Sequence, residues 1–204
     1  VEITMRISWT ACAALPIFAV LFTASATSPV FATDCSEWPQ FQTSEPDLAP
    51  KSLQLSDLQN VLNAGTSAEG MIFDFRPVDR DIWVDVTYVP GNATALAGMR
   101  TAFMAFRLLS DDFDNFVFSD DKVGLYKISE PVAREIGCQF IWGKEGGQNP
   151  IYLLRVFFKS LMNYEDSQPA VVGFNGSLLG DTNVAMQFNN EVFVRKWLLT
   201  AVQE

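Results

Sequence analysis

The stretch Met71–Val89, MIFDFRPVDRDIWVDVTYV, decides the fold. Two runs rich in β-branched and aromatic residues, Met71–Arg76 and Asp81–Val89, are separated by Pro77 and Asp79, which predicts a β-hairpin. In the second run Ile82, Val84, Val86 and Tyr88 alternate with positions that include Asp85 and Thr87. One face of that strand is therefore apolar and the other polar. Pro90-Gly91 ends it, and Asn92 is placed to cap a helix over Ala93–Ser110. There Leu96, Met99, Phe103 and Phe106 recur at helical spacing, so they are expected to lie across the sheet.

The same rhythm continues outward in both directions. Upstream, Ser56 is placed to cap a short helix whose Leu58, Val61 and Leu62 face inward, and Gly65 stops it. Downstream, NFVFS and VGLYKIS flank Asp120-Asp121-Lys122, the pattern of a second hairpin. Ser129-Glu130-Pro131 opens another helix, ended by Gly137, and Cys138–Trp142 reads as a strand. Pro150–Met162 carries two signals. Asn149-Pro150 suits a helix start, yet Tyr152, Leu154, Val156 and Phe158 alternate, and length and aromatic content favour a strand. Asp181–Gln203 reads as a closing amphipathic helix bearing Val184, Phe188, Val192 and Trp197. The expected fold class is α+β: an antiparallel sheet built from hairpins with helices packed on one face.

The N-terminal quarter reads differently. Met5-Arg6 precedes an uncharged run, Ile7–Thr33, with an apolar block at Trp9–Ala24 and small residues after it. This is the pattern of a secretory signal peptide over residues 1–32, cleaved after Val30-Phe31-Ala32; Ala24-Ser25-Ala26 fits the same small-x-small rule. An uncleaved anchor is the competing reading, because about 20 apolar residues span a bilayer. Residues 33–52, with three prolines in Ser36–Lys51, form an extended lead-in, and residues 53–204 a single α+β domain. The expected location is periplasmic or secreted, with no stable membrane embedding once the signal is removed. Cys12 leaves with the signal. In an oxidising compartment Cys35 and Cys138 then read as one disulfide, against the alternative of two unrelated thiols.

Composition narrows the chemistry. The 204 residues carry a net charge of −10, which repels phosphate backbones, so nucleic acid is not an expected partner. The chain contains no histidine, which removes the usual Ser-His-Asp and Cys-His catalysis and the histidine-based zinc sites. Three cysteines without a CxxC pair give no structural zinc set, and no cofactor or metal is implied.

The strongest candidate for binding is the polar knot Gly143–Pro150. Its Lys144, Glu145, Gln148 and Asn149 stand beside Trp142 and Tyr152, and aromatic platforms next to amides suit a sugar or a peptide backbone. The same glycines also permit a plain turn in which Asn149 leads into the next element. Asp111, Asp112, Asp114 and Asn115, with Asp120 and Asp121, form an acidic cluster that lacks EF-hand spacing and reads as a solvated loop. No catalytic residue is singled out. The expectation is an exported binding or accessory module for a protein, peptide or glycan partner. Its rival is a histidine-free hydrolase of carbohydrate or cell wall, using two carboxylates drawn from Asp74, Asp85, Glu135 and Glu145. An oligomer interface on an exposed apolar face is a third reading.

Overall fold

The computed structural model describes residues 53–140 and 150–200. The proposed signal peptide, the lead-in, Cys35 and the residues Trp142, Lys144, Glu145, Gln148 and Asn149 lie outside the described residues. In chain order the elements are α1 (Leu55–Ala64), a 3-10 turn (Thr66–Ala68), β1 (Ile72–Val78), β2 (Asp81–Tyr88) and α2 (Ala95–Leu108). There follow β3 (Asn115–Asp120), β4 (Val123–Ser129), α3 (Glu130–Gln139), α4 (Pro150–Ser160) and the short β5 (Met162–Asn163). The chain closes on α5 (Leu178–Phe188), a π-helical turn (Asn189–Phe193) and α6 (Val194–Trp197).

The five strands form one sheet in the order β1-β2-β3-β4-β5. Both hairpins form as the sequence implies, β1 against β2 and β3 against β4. The turn between β3 and β4 uses Asp121 and Lys122 at positive φ, 45° and 65°, the backbone that matches the twist of a tight hairpin. The sheet is mixed, however, not antiparallel throughout: β2 and β3 run parallel. Between them the 14-residue α2 supplies the crossover that a parallel pair requires. Burial follows. β1 and β4 alternate, whereas Ile82–Val86 of β2 and Phe116–Ser119 of β3 are buried on every residue, as central parallel strands are.

The inner face of the sheet carries the aromatic core. Phe106 of α2 meets Phe116 edge-on at 4.8 Å, and Trp197 of α6 meets Phe118 at 4.8 Å. Phe157 of α4 meets Phe118 at 5.5 Å, and Phe193 meets Phe118 at 5.3 Å. Edge-on pairs at these separations add to the burial of large rings. The Trp197 indole also donates to the Val84 carbonyl at 3.3 Å.

Several local expectations are corrected. Residues 150–160 are helical, because Leu153, Phe157, Phe158 and Leu161 are the buried set and recur at helical rather than alternate spacing. Cys138 and Gln139 belong to α3, not to a strand. Gly137 lies inside that helix, where a Cβ would stand 2.6 Å from the Arg107 backbone nitrogen; the glycine lets α3 touch the α2 backbone. Val61, Tyr88 and Leu96 are exposed rather than inward. The residue preceding α1 is Gln54, not Ser56, and α2 begins after Thr94, not Asn92. Its first turn is served instead by Glu69, whose carboxylate accepts from the Thr94 N–H at 2.7 Å and pairs with Arg100. The Thr94 backbone bond is the leading cause that holds the Glu69 carboxyl below its ordinary value. The closing helix starts at Leu178, and its π turn shifts the buried stripe to Phe193, Val194, Trp197 and Leu198.

Two buried cations and the sheet edge complete the frame. Arg134 of α3 pairs with Glu130 and donates to the carbonyls of Phe106, Leu109 and Asp111, serving oxygens at and beyond the C-terminal end of α2. Arg107 donates to the Phe140 carbonyl at 3.2 Å. At the β1 edge, the Asn63 side chain accepts from the Phe73 N–H and donates to its carbonyl, both at 2.9 Å. Gln59 accepts from the Phe75 N–H at 3.0 Å. Helix α1 therefore occupies an edge that would otherwise present unpaired backbone groups. Among the described residues, no helix is long and apolar enough to cross a membrane.

Candidate binding face

Side chains directly opposite one another in a sheet share a face. On the outer face the register sets out one row across all five strands: Arg76, Trp83, Val117, Lys127 and Met162. The next row is Asp74, Asp85, Ser119 and Gly124. The turn after β5 lays Tyr164 over these rows. Its ring meets Trp83 edge-on at 5.0 Å and sits within 5.5 Å of the Lys127 Nζ. Gly124 makes room for it, since a Cβ there would stand 2.6 Å from the tyrosine ring.

Arg76 organises the charged half. It pairs with Asp85 and, at 3.6 Å, with Asp74, and its guanidinium carbon lies 5.4 Å from the Trp83 ring centre. Asp85 is engaged on both oxygens, because its second oxygen accepts from the Lys122 N–H at 3.3 Å. Asp74 is 46% exposed and forms the open rim of the cluster. Trp83 is only 7% exposed, yet among the described residues its indole Nε1 has no hydrogen-bond partner, and neither has Nη2 of Arg76. Two buried donors left unsatisfied side by side are costly unless something brings them an acceptor.

The arrangement holds two donors covered from solvent, one accessible carboxylate acceptor and two aromatic rings. An amide group or a pair of hydroxyls matches it, because each both accepts and donates. A net anion would meet Asp74 and Asp85. Two of the four carboxylates singled out in the sequence, Asp74 and Asp85, do come together here, facing each other in the β1–β2 register. Glu135 lies elsewhere, accepting from Gln139 on α3, and Glu145 lies outside the described residues.

Of the knot residues, Tyr152 is described. It is exposed on the first turns of α4, with Arg155 5.1 Å from its ring. The acidic cluster is dispersed into structural bonds: Asp111 accepts from the Leu55 N–H and Asp114 pairs with Arg80. No group of three or more metal-ligating side chains occurs among the described residues. Cys138 is buried in α3.

Arg76, Trp83 and Tyr164 were not singled out from the sequence. A signal for one of them was present: Trp83 sits on the polar side of its strand, with Asp85 and Thr87. The register and the turn that carry Arg76 and Tyr164 to it are non-local.

The class the fold defines is α+β, a five-stranded mixed sheet with helices on its inner face. No protein-family model matches the chain, and neither a curated protein nor a solved structure shows significant similarity to it.

Proposed function

We propose that the protein is an exported binding or accessory module, periplasmic or secreted, that takes a peptide or glycan ligand at the outer face of its sheet. The observation that carries this reading is the adjacent pair of unsatisfied donors, Trp83 Nε1 and Arg76 Nη2, beside the exposed Asp74. Export rests on the leader-like residues 1–32, and in this reading Cys35 and Cys138 would close one disulfide once the chain reaches an oxidising compartment. Trp142, Lys144, Glu145, Gln148 and Asn149, leading to the exposed Tyr152, form a second ligand contact in this proposal.

A carboxylate-pair hydrolase is the second reading, favoured by the meeting of Asp74 and Asp85 at Arg76. Because Asp85 is engaged on both oxygens, it serves better as an anchor for Arg76 than as an acid or base. One experiment separates the readings. The immobilised protein is exposed to an envelope extract beside an Arg76→Gln, Trp83→Phe double variant. Binding predicts intact peptide or glycan material retained by the wild type and lost by the variant. Identical retention contradicts the assignment of the face. Cleaved products that disappear in Asp74→Asn establish the hydrolase instead.

A further inference from the structure

Asn175-Gly176, in the loop that opens α5, is the only asparagine followed by glycine in the chain. Both residues are exposed. Gly176 has φ of 86°, a backbone that favours glycine, and a Cβ built there would meet nothing within 4 Å. The space around its peptide nitrogen is therefore open. Two further bonds act on the atoms of this pair. The Asn175 Oδ1 accepts from the Ser177 N–H at 2.9 Å, which folds the carboxamide back over the Gly176 peptide. Asp181, buried at 3% exposure and the only ionisable residue from Ser167 to Asn190, turns its carboxylate on the same peptide. Each of its oxygens lies 3.2 Å from the Gly176 nitrogen, and one also accepts from the Asn175 N–H at 2.8 Å.

We propose that Asn175 is a self-modification site, where the folded loop converts the carboxamide to a carboxylate with Asp181 as the base. An amide nitrogen attacks only as its proton leaves, and the Asp181 carboxylate already accepts that proton from Gly176. The Gly176 nitrogen bonds to the Asn175 Cγ, and the charge that grows on Oδ1 meets the Ser177 N–H. The Cγ–Nδ2 bond then breaks, and ammonia leaves with the proton returned by Asp181. The cyclic imide left behind takes up one water at either carbonyl and opens to aspartate or isoaspartate. One water is consumed, one ammonia is released, and nothing is oxidised or reduced. Both products place a new carboxylate beside that of Asp181, where like charges repel. Isoaspartate also adds a methylene to the main chain before Gly176, which draws that N–H away from Asp181 and loosens the start of α5.

Timed ageing of the purified protein at neutral pH tests this, with mass mapping of the tryptic peptide Ser160–Arg195 and enzymatic methylation to detect isoaspartate. The same peptide, excised before ageing, is the unfolded reference. Exchange of the amide for a carboxyl group at Asn175, with isoaspartate among the products, is expected at least as fast in the folded protein as in the peptide. Asp181→Asn is expected to slow the folded protein by about a hundredfold, the lower end of what a positioned base contributes, and to leave the peptide rate unchanged. An Asn175 that stays intact, or reacts more slowly, in the folded protein than in its excised peptide overturns the proposal, because the loop then protects the pair. So does a rate that Asp181→Asn leaves unchanged while its far-UV spectrum matches the wild type. The comparison of folded protein with peptide needs no variant, so it decides even where Asp181→Asn loses its fold.

Discussion

The two faces of the sheet are both buried at their centre, but by different means. Inside, rings from four helical segments converge on Phe116 and Phe118, each fully buried. Outside, Trp83 and Asp85 are nearly as covered, yet their neighbours are an ion pair, a lysine and one tyrosine from a turn. On the inner face the Trp197 indole donates to the Val84 carbonyl. On the outer face the Trp83 indole has no acceptor among the described residues. Burial with satisfaction marks a core, and burial without it points to a site waiting for a partner group.

Truncating each face should reveal that difference. Phe118→Ala removes the ring on which Phe157, Phe193 and Trp197 pack, and is expected to cost about 3–5 kcal/mol in denaturant unfolding. A cost below that of an ordinary surface change would place the core elsewhere. Gly124→Ala acts on the outer face, where the new methyl must lift the Tyr164 ring from its seat. Since the clash is with a side chain on a turn, the expected loss is smaller, about 1–2 kcal/mol. It should be accompanied by a shift in tryptophan emission as Trp83 loses its cover. A Gly124→Ala protein as damaged as Phe118→Ala would show the outer face to be a second core.

How much of this was legible in the sequence follows from the range of each signal. The hairpins were readable because their turns are local, Asp79-Arg80 and Asp121-Lys122. The parallel pairing of β2 with β3 was not, because alternation in a strand sets its faces and says nothing of the direction of a distant neighbour. Pro150–Ser160 was misleading for a related reason. Its apolar residues satisfy both periods, and burial of Leu153, Phe157 and Leu161 against the inner face settles the choice. Gly137 looked like a stop and is a contact point between helices, a role visible only once α2 lies against it. The outer face depends on strand order and on a turn 81 positions beyond Trp83 (164 − 83 = 81), so its residues had no common local pattern.

The most direct test of the account compares the two buried indoles by heteronuclear NMR during titration with material retained by the wild-type protein. The outer-face reading predicts a saturable shift of the Trp83 Nε1–H resonance, with that of Trp197, already bonded to Val84, unmoved. A ligand that binds while the Trp83 resonance stays in place would contradict it.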